Sequence, residues 1–194
     1  MDDRAELVTG PDGITRCWWG STDPLYVAYH DEEWGRPLRG DDALFELLAL
    51  EGFQAGLSWL TILRKRPAFR AAFEGFRIER VASFGEDVVE RLLGDAAIVR
   101  NRAKIEATIG NARAALTLGP GGLTELLWSY APAPRERRLQ SFAEIPAKTP
   151  ESEALSKDLR KRGFRFVGPT IIYAFMQAVG MVDDHLAGCE IAAA

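Results

Sequence analysis

Cysteine and histidine are scarce in this chain, with two of each among 194 residues. That scarcity excludes a disulfide-framed scaffold and any large metal cluster. No apolar run approaches the ~18 residues of a membrane span, and the acidic opening MDDRAEL lacks the pattern of a signal peptide. A cytoplasmic home is therefore expected. Positive charge is not in excess either: 24 Lys and Arg stand against 28 Asp and Glu, a net −4. The whole molecule is no polyanion magnet, so any nucleic-acid binding must come from a local basic face. No segment alternates convincingly at period two, and no internal repeat is visible.

What is present is ordinary soluble-protein material, 47% hydrophobic and 27% charged, enough for one core and one domain. Residues 1–15 are polar and punctuated by Gly and Pro, and are expected to form a flexible arm. Residues 16–190 are expected to form a single helical domain, with a short tail at 191–194. Asp23-Pro24 supplies an N-cap carboxylate and a first-turn proline, and Gly35-Arg36-Pro37 ends that helix. A second helix starts at Asp41-Asp42, where Leu44, Leu47 and Leu48 recur at helical spacing. Further helices are predicted over 59–73, 78–94, 97–118, 122–130, 151–162 and 169–180. Pro67, Gly75, Gly94, Gly119-Pro120-Gly121-Gly122 and Ala131-Pro132-Ala133-Pro134 read as breaks. The fold class is all-α.

The scarce residues fall into two pairs, Cys17 and His30 as C-x12-H and His185 and Cys189 as H-x3-C. The cysteines could form a disulfide, but a reducing compartment and two accompanying histidines favour a metal. Thiolate and imidazole suit Zn²⁺, and four such ligands close a tetrahedral structural site. One ion on all four would clip the two ends of the chain together.

Glu51 is the sharpest local oddity. It lies i+7 from Leu44, i+4 from Leu47 and i+3 from Leu48, on the apolar stripe of its helix. A carboxylate there is either buried and in need of a partner, or turned to solvent at a helix end. Trp18, Trp19, Tyr26, Tyr29 and Trp34 precede it, and Phe53 and Trp59 follow. Such aromatics are either core or the stacking walls of a site for a flat cation.

Residues 155–180 form a third constellation. An amphipathic stretch runs into Arg160-Lys161-Arg162, then the tight segment Gly163-Phe164-Arg165-Phe166-Val167-Gly168, then a helix from Pro169. Five basic residues face one acidic residue over 157–165. Free amides at the start of the second helix suit a phosphate, although a plain helical turn with a solvated basic shoulder fits the pattern too.

Taken together, RCWWGSTDPLYVAYHDEEWGRP, LEGFQAGLSWLTILRKR, IVRNRAKIEATIGNARA, LSKDLRKRGFRFVGPTIIYAFMQAVG and VDDHLAGC resemble the 3-methyladenine DNA glycosylase I family of helix–hairpin–helix repair enzymes. The resemblance runs from about Cys17 to Cys189 and places the helix–hairpin–helix at about 151–180. It implies a DNA base-excision enzyme that flips out 3-methyladenine, hydrolyses its glycosidic bond and leaves an abasic site, without lyase chemistry. By the same resemblance Cys17, His30, His185 and Cys189 hold one structural zinc. Glu51 and Tyr29 recognise the base, with Glu51 acting electrostatically and its general-base work left open. Trp19, Trp34 and Trp59 wall the pocket. Gln54, Gly56 and Leu57 approach the gap in the duplex, and Gly163, Arg165 and Gly168 anchor phosphate. Asp183 and Asp184 are expected to orient His185. No organic cofactor is implied; the expected partner is alkylated double-stranded DNA, bound by a monomer. Two alternatives stay open: a lesion-binding module without catalysis, and a glycosylase with a wider range of alkylated purines.

Overall fold

The computed structural model describes residues 5–191. Nine α-helices dominate the described residues: α1 (Pro24–Glu32), α2 (Asp41–Gln54), α3 (Trp59–Ala72), α4 (Ile78–Ala82), α5 (Glu86–Gly94), α6 (Arg102–Leu116), α7 (Gly122–Trp128), α8 (Pro150–Lys161) and α9 (Pro169–Ala178). Their starts follow local chemistry. Asp23 accepts the Leu25 N–H at 2.9 Å ahead of Pro24. Thr149 and Ser152 exchange backbone–side-chain bonds as a capping box for α8. Each such cap is worth about 1 kcal/mol. Among the described residues, no helix is long and apolar enough to cross a membrane.

α2 is the spine. Leu44 through Phe53 are all buried, and the helix packs against α3, α6, α7 and α9. Phe53 of α2 joins Phe69, Phe73 and Phe76 in one cluster of rings, from 4.6 Å between the Phe53 and Phe69 centroids to 6.2 Å between Phe69 and Phe73, with Phe73 and Phe76 stacked at 5.3 Å. Helices α8 and α9 pack together around the turn at 163–168. Two helices joined by a tight turn thus occupy the span of about 151–180 singled out in the sequence.

Four features differ from the sequence reading. The described part of the expected arm is not loose: β1 (Leu7–Thr9) and β2 (Thr15–Cys17) pair antiparallel in the register Leu7↔Cys17, Val8↔Arg16, Thr9↔Thr15. Three-residue strands are too short to show a period-two pattern. The expected helix 78–94 is two, because Ser83-Phe84-Gly85 turns the buried Phe84 into the core between α4 and α5. The expected helix 97–118 begins only at Arg102, where Asn101 accepts the Lys104 N–H at 3.1 Å. Pro67 does not break its helix but sits within α3 at an exposed position. Of the expected tail 191–194, all but Ile191 lie outside the described residues.

Candidate functional site

The chain ends meet where the scarce residues lie. Glu190 N–H donates to the Thr15 carbonyl at 2.8 Å, and Arg138 donates to the Cys189 carbonyl at 2.9 Å. Cys17, His30 and Cys189 are buried, and their ligand atoms all lie within 4.8 Å of one another. The fourth expected ligand, His185, falls outside that triad, yet its ring centroid is 4.9 Å from that of His30. Asp31 holds His30 Nδ1 at 2.8 Å and Asp183 holds His185 Nδ1 at 2.8 Å. A carboxylate on Nδ1 keeps the proton there and leaves Nε2 as a bare lone pair. His185 Nε2 is buried with no hydrogen-bond partner among the described residues. The Cys17 thiol donates toward Cys189; that bond and burial push Cys17 up, while the same bond, helped by His30 and against burial, holds Cys189 down. Two thiols contesting one proton beside a bare imidazole lone pair form a donor set suited to a soft divalent cation. Asp183 orients His185 as expected. Asp184 does not; it faces Arg135, Tyr173 and Gln177 instead.

Beside this clasp opens a cavity of about 270 Å³, lined by Trp19, Tyr26, Tyr29, Trp34, Glu51 and Trp59 together with Gln54, Phe142, Ile145, Ala174 and Gln177. A larger cavity of about 610 Å³ lies along 132–138 and 180–183, but it lacks stacked aromatic walls. The smaller one gathers the buried carboxylate, the phenol and the tryptophan rings. Trp19 meets Trp34 edge to face at 4.9 Å, and Tyr29 lies 5.5 Å from Trp59. Trp34 in turn meets His185 at 4.6 Å and His30 at 6.1 Å, so the clasp backs directly onto the pocket wall.

Glu51 is 4% exposed, and burial raises its carboxyl to about 8. Among the described residues no cation pairs with it, so the empty pocket favours the neutral acid and a positive ligand would favour the carboxylate. Tyr29 is 3% exposed and is pushed well above its usual value by burial and then by the Glu51 charge. It therefore stays a neutral phenol with a hydrogen to give. The Trp59 indole N–H is buried beside the Tyr29 hydroxyl with no well-formed hydrogen bond among the described residues. The structure thus brings together all five residues expected of the pocket.

Gln54 ends α2 and lines the pocket, and Gly56 and Leu57 follow in the turn that leads to α3. Gly56 has φ +85°, a left-handed conformation suited to glycine, and Leu57 is 43% exposed, unusual for so large an apolar side chain here. Sequence reasoning missed what holds this turn. Lys104 from α6 donates to the carbonyls of Phe53 at 2.9 Å and Ala55 at 2.7 Å. It missed Asn111 as well, whose side chain accepts the Arg165 N–H at 2.8 Å and donates to the Arg165 carbonyl at 3.0 Å. A capping pattern would not have revealed either, because each side chain acts across the fold on backbone far away in the chain. Gly163 has φ +91°, Gly168 precedes α9 without a side-chain cap, and Arg165 is exposed. The open amides at the start of α9 and the basic side chains of α8 thus flank one hairpin.

The sequence profile described as methyladenine glycosylase matches residues 18–193. This chain belongs to the methyladenine glycosylase family. It is 52% identical over 179 residues to the DNA-3-methyladenine glycosylase 1 of Escherichia coli (strain K12), covering 91% of this chain and 96% of that one. It is similar to a crystal structure of 3-methyladenine DNA glycosylase I, with a TM-score of 0.86 at 50% identity over 90% of this chain and 98% of the other. A variant of such a glycosylase solved in complex with 3-methyladenine aligns with a TM-score of 0.85 at 39% identity, over 90% and 96% of the two chains. The all-α helix–hairpin–helix glycosylase fold is thus that of the family.

Proposed function

We propose that this methyladenine glycosylase is a monofunctional DNA-3-methyladenine glycosylase acting in base excision. The observation that carries the reading is a buried, unpaired carboxylate, Glu51, inside a cage of aromatic rings. Methylation at N3 makes adenine cationic within DNA and weakens its bond to the sugar. Once flipped out of the stack, such a base stacks on Trp19, Trp34 and Trp59 and neutralises Glu51. Tyr29 donates its phenolic hydrogen to the base edge. Water then attacks C1′, the bond from C1′ to N9 breaks, its electron pair returns to the ring, and the base leaves neutral. The attacking water loses its proton, and an abasic site remains in an unbroken strand.

The remaining roles follow from position. Leu57, on a turn pinned by Lys104, fills the gap left in the duplex. Gly163, Arg165 and Gly168 hold phosphate without reading sequence. Zn²⁺ on Cys17, His30, His185 and Cys189 would fix the Trp34 wall, and four protein ligands leave no position for a reacting water. One helical unit carries the whole pocket, so a single copy suffices. Incubating the protein with methylated duplex DNA and separating the products tests this. Free 3-methyladenine with intact, abasic strands supports it; tight binding with no released base would leave a lesion-binding module instead.

A further inference from the structure

Asp184 is fully buried, and its carboxylate is surrounded by donors. Oδ1 pairs with the Arg135 guanidinium, while Oδ2 accepts from the Tyr173 hydroxyl at 2.7 Å and from Gln177 Nε2 at 2.7 Å. Arg135 also donates to the Tyr173 oxygen at 3.1 Å, which commits the tyrosine's own hydrogen to Asp184. An ion-paired carboxylate has no hydrogen to give, so Gln177 must turn its amide nitrogen toward it. The network thereby assigns the orientation of the amide. Gln177 is half-buried, lines the Glu51 pocket one turn beyond Ala174 on α9, and its Oε1 has no partner among the described residues.

We propose that Gln177 reads the six-position of the flipped purine, accepting a hydrogen bond from an exocyclic amine, with Asp184 as the positioning residue that prevents the amide from flipping. The inference rests on the glycosylase reading and narrows its substrate to 6-amino purines. Glu51 answers the charge of a methylated base, and that charge is common to N3-methylated adenine and guanine. A locked acceptor discriminates between them. An amine completes the bond, whereas a six-position carbonyl sets two acceptor oxygens against each other and leaves both unpaired.

The test measures binding of the free bases 3-methyladenine and 3-methylhypoxanthine, which carry an amine and a carbonyl at the six-position. Quenching of intrinsic tryptophan fluorescence reports it, because three tryptophans line the pocket. The wild type should prefer 3-methyladenine by about tenfold, on the scale set by one satisfied against one clashing hydrogen bond. Gln177→Met, of similar length but without the acceptor, should bind 3-methyladenine roughly fivefold more weakly and lose the preference, with a melting temperature lowered by the lost bond to Asp184 but a cooperative melt retained. Should that variant not fold, Gln177→Asn withdraws the oxygen and gives the same readout. Equal wild-type affinity for the two bases, or an unchanged ratio in a folded variant, overturns the proposal. A wild type that shows the preference yet releases no base from DNA refutes the hydrolytic reading and leaves this one standing.

Discussion

Gly52, the residue after Glu51, touches the hairpin at Phe166: a Cβ on Gly52 would lie 3.4 Å from the Phe166 Cβ and 3.6 Å from its carbonyl oxygen. Phe166 itself has φ +54°, so the hairpin backbone is already held in an uncommon conformation at that contact. The helix that presents the pocket carboxylate and the loop proposed to hold phosphate are therefore one rigid junction. Gly52→Leu should push them apart, costing about 1–3 kcal/mol of stability and weakening DNA binding more than free-base binding. Thermal melts with parallel titrations of DNA and free 3-methyladenine check it; equal losses of both would contradict the junction.

Lys104 makes a second, separable prediction. Its ammonium ties down two carbonyls of the turn bearing Leu57, and Lys104→Met leaves both without that donor. Stability should fall by about 1–3 kcal/mol, with DNA affinity lowered and free-base affinity kept. Titrating methylated duplex DNA and free base against the variant checks this, and undiminished duplex binding would remove the turn from the DNA surface.

The clasp gives a third. Cys189→Ala should lower zinc content and melting temperature together, and a chelator should destabilise the wild type but not the variant. Metal analysis alongside melting decides it. A stable wild type that copurifies without zinc and is indifferent to chelator would reject a four-ligand zinc site.

Burial raises Glu51 from 4.5 to about 8, so the native protein holds this proton more tightly than the unfolded chain does. The associated stability is complete below pH ~4.5 and is lost as pH rises through about 8. Glu51→Gln keeps the neutral shape without the titration. Its melting temperature should therefore gain on the wild type between about pH 5.5 and pH 8.5. Parallel melting curves across that range would mean that Glu51 is already ionised in the empty pocket.

Much of this was legible in the sequence, for identifiable reasons. Glu51 betrayed itself by sitting on a leucine stripe, and α2 does bury that stripe whole. Cys17, His30 and Cys189 stood out by rarity and do converge. The hairpin at 7–17 escaped because its strands are held by pairing and by Glu190 rather than by any pattern of their own. Lys104, Asn111 and Gln177 escaped for a related reason. Each is an ordinary polar residue on a helix, and its meaning lies in a backbone or carboxylate brought to it from elsewhere in the chain. Asp184 looked like a companion of His185 by adjacency, yet successive side chains diverge, and only Asp183 meets the imidazole.

The account turns on Glu51 holding the methylated base, and single-turnover release of 3-methyladenine from methylated duplex DNA tests that most directly. Glu51→Gln, shown folded by its melting curve, should release the base on the order of 10²-fold more slowly than the wild type. Release at the wild-type rate would contradict the account and place the chemistry outside this pocket.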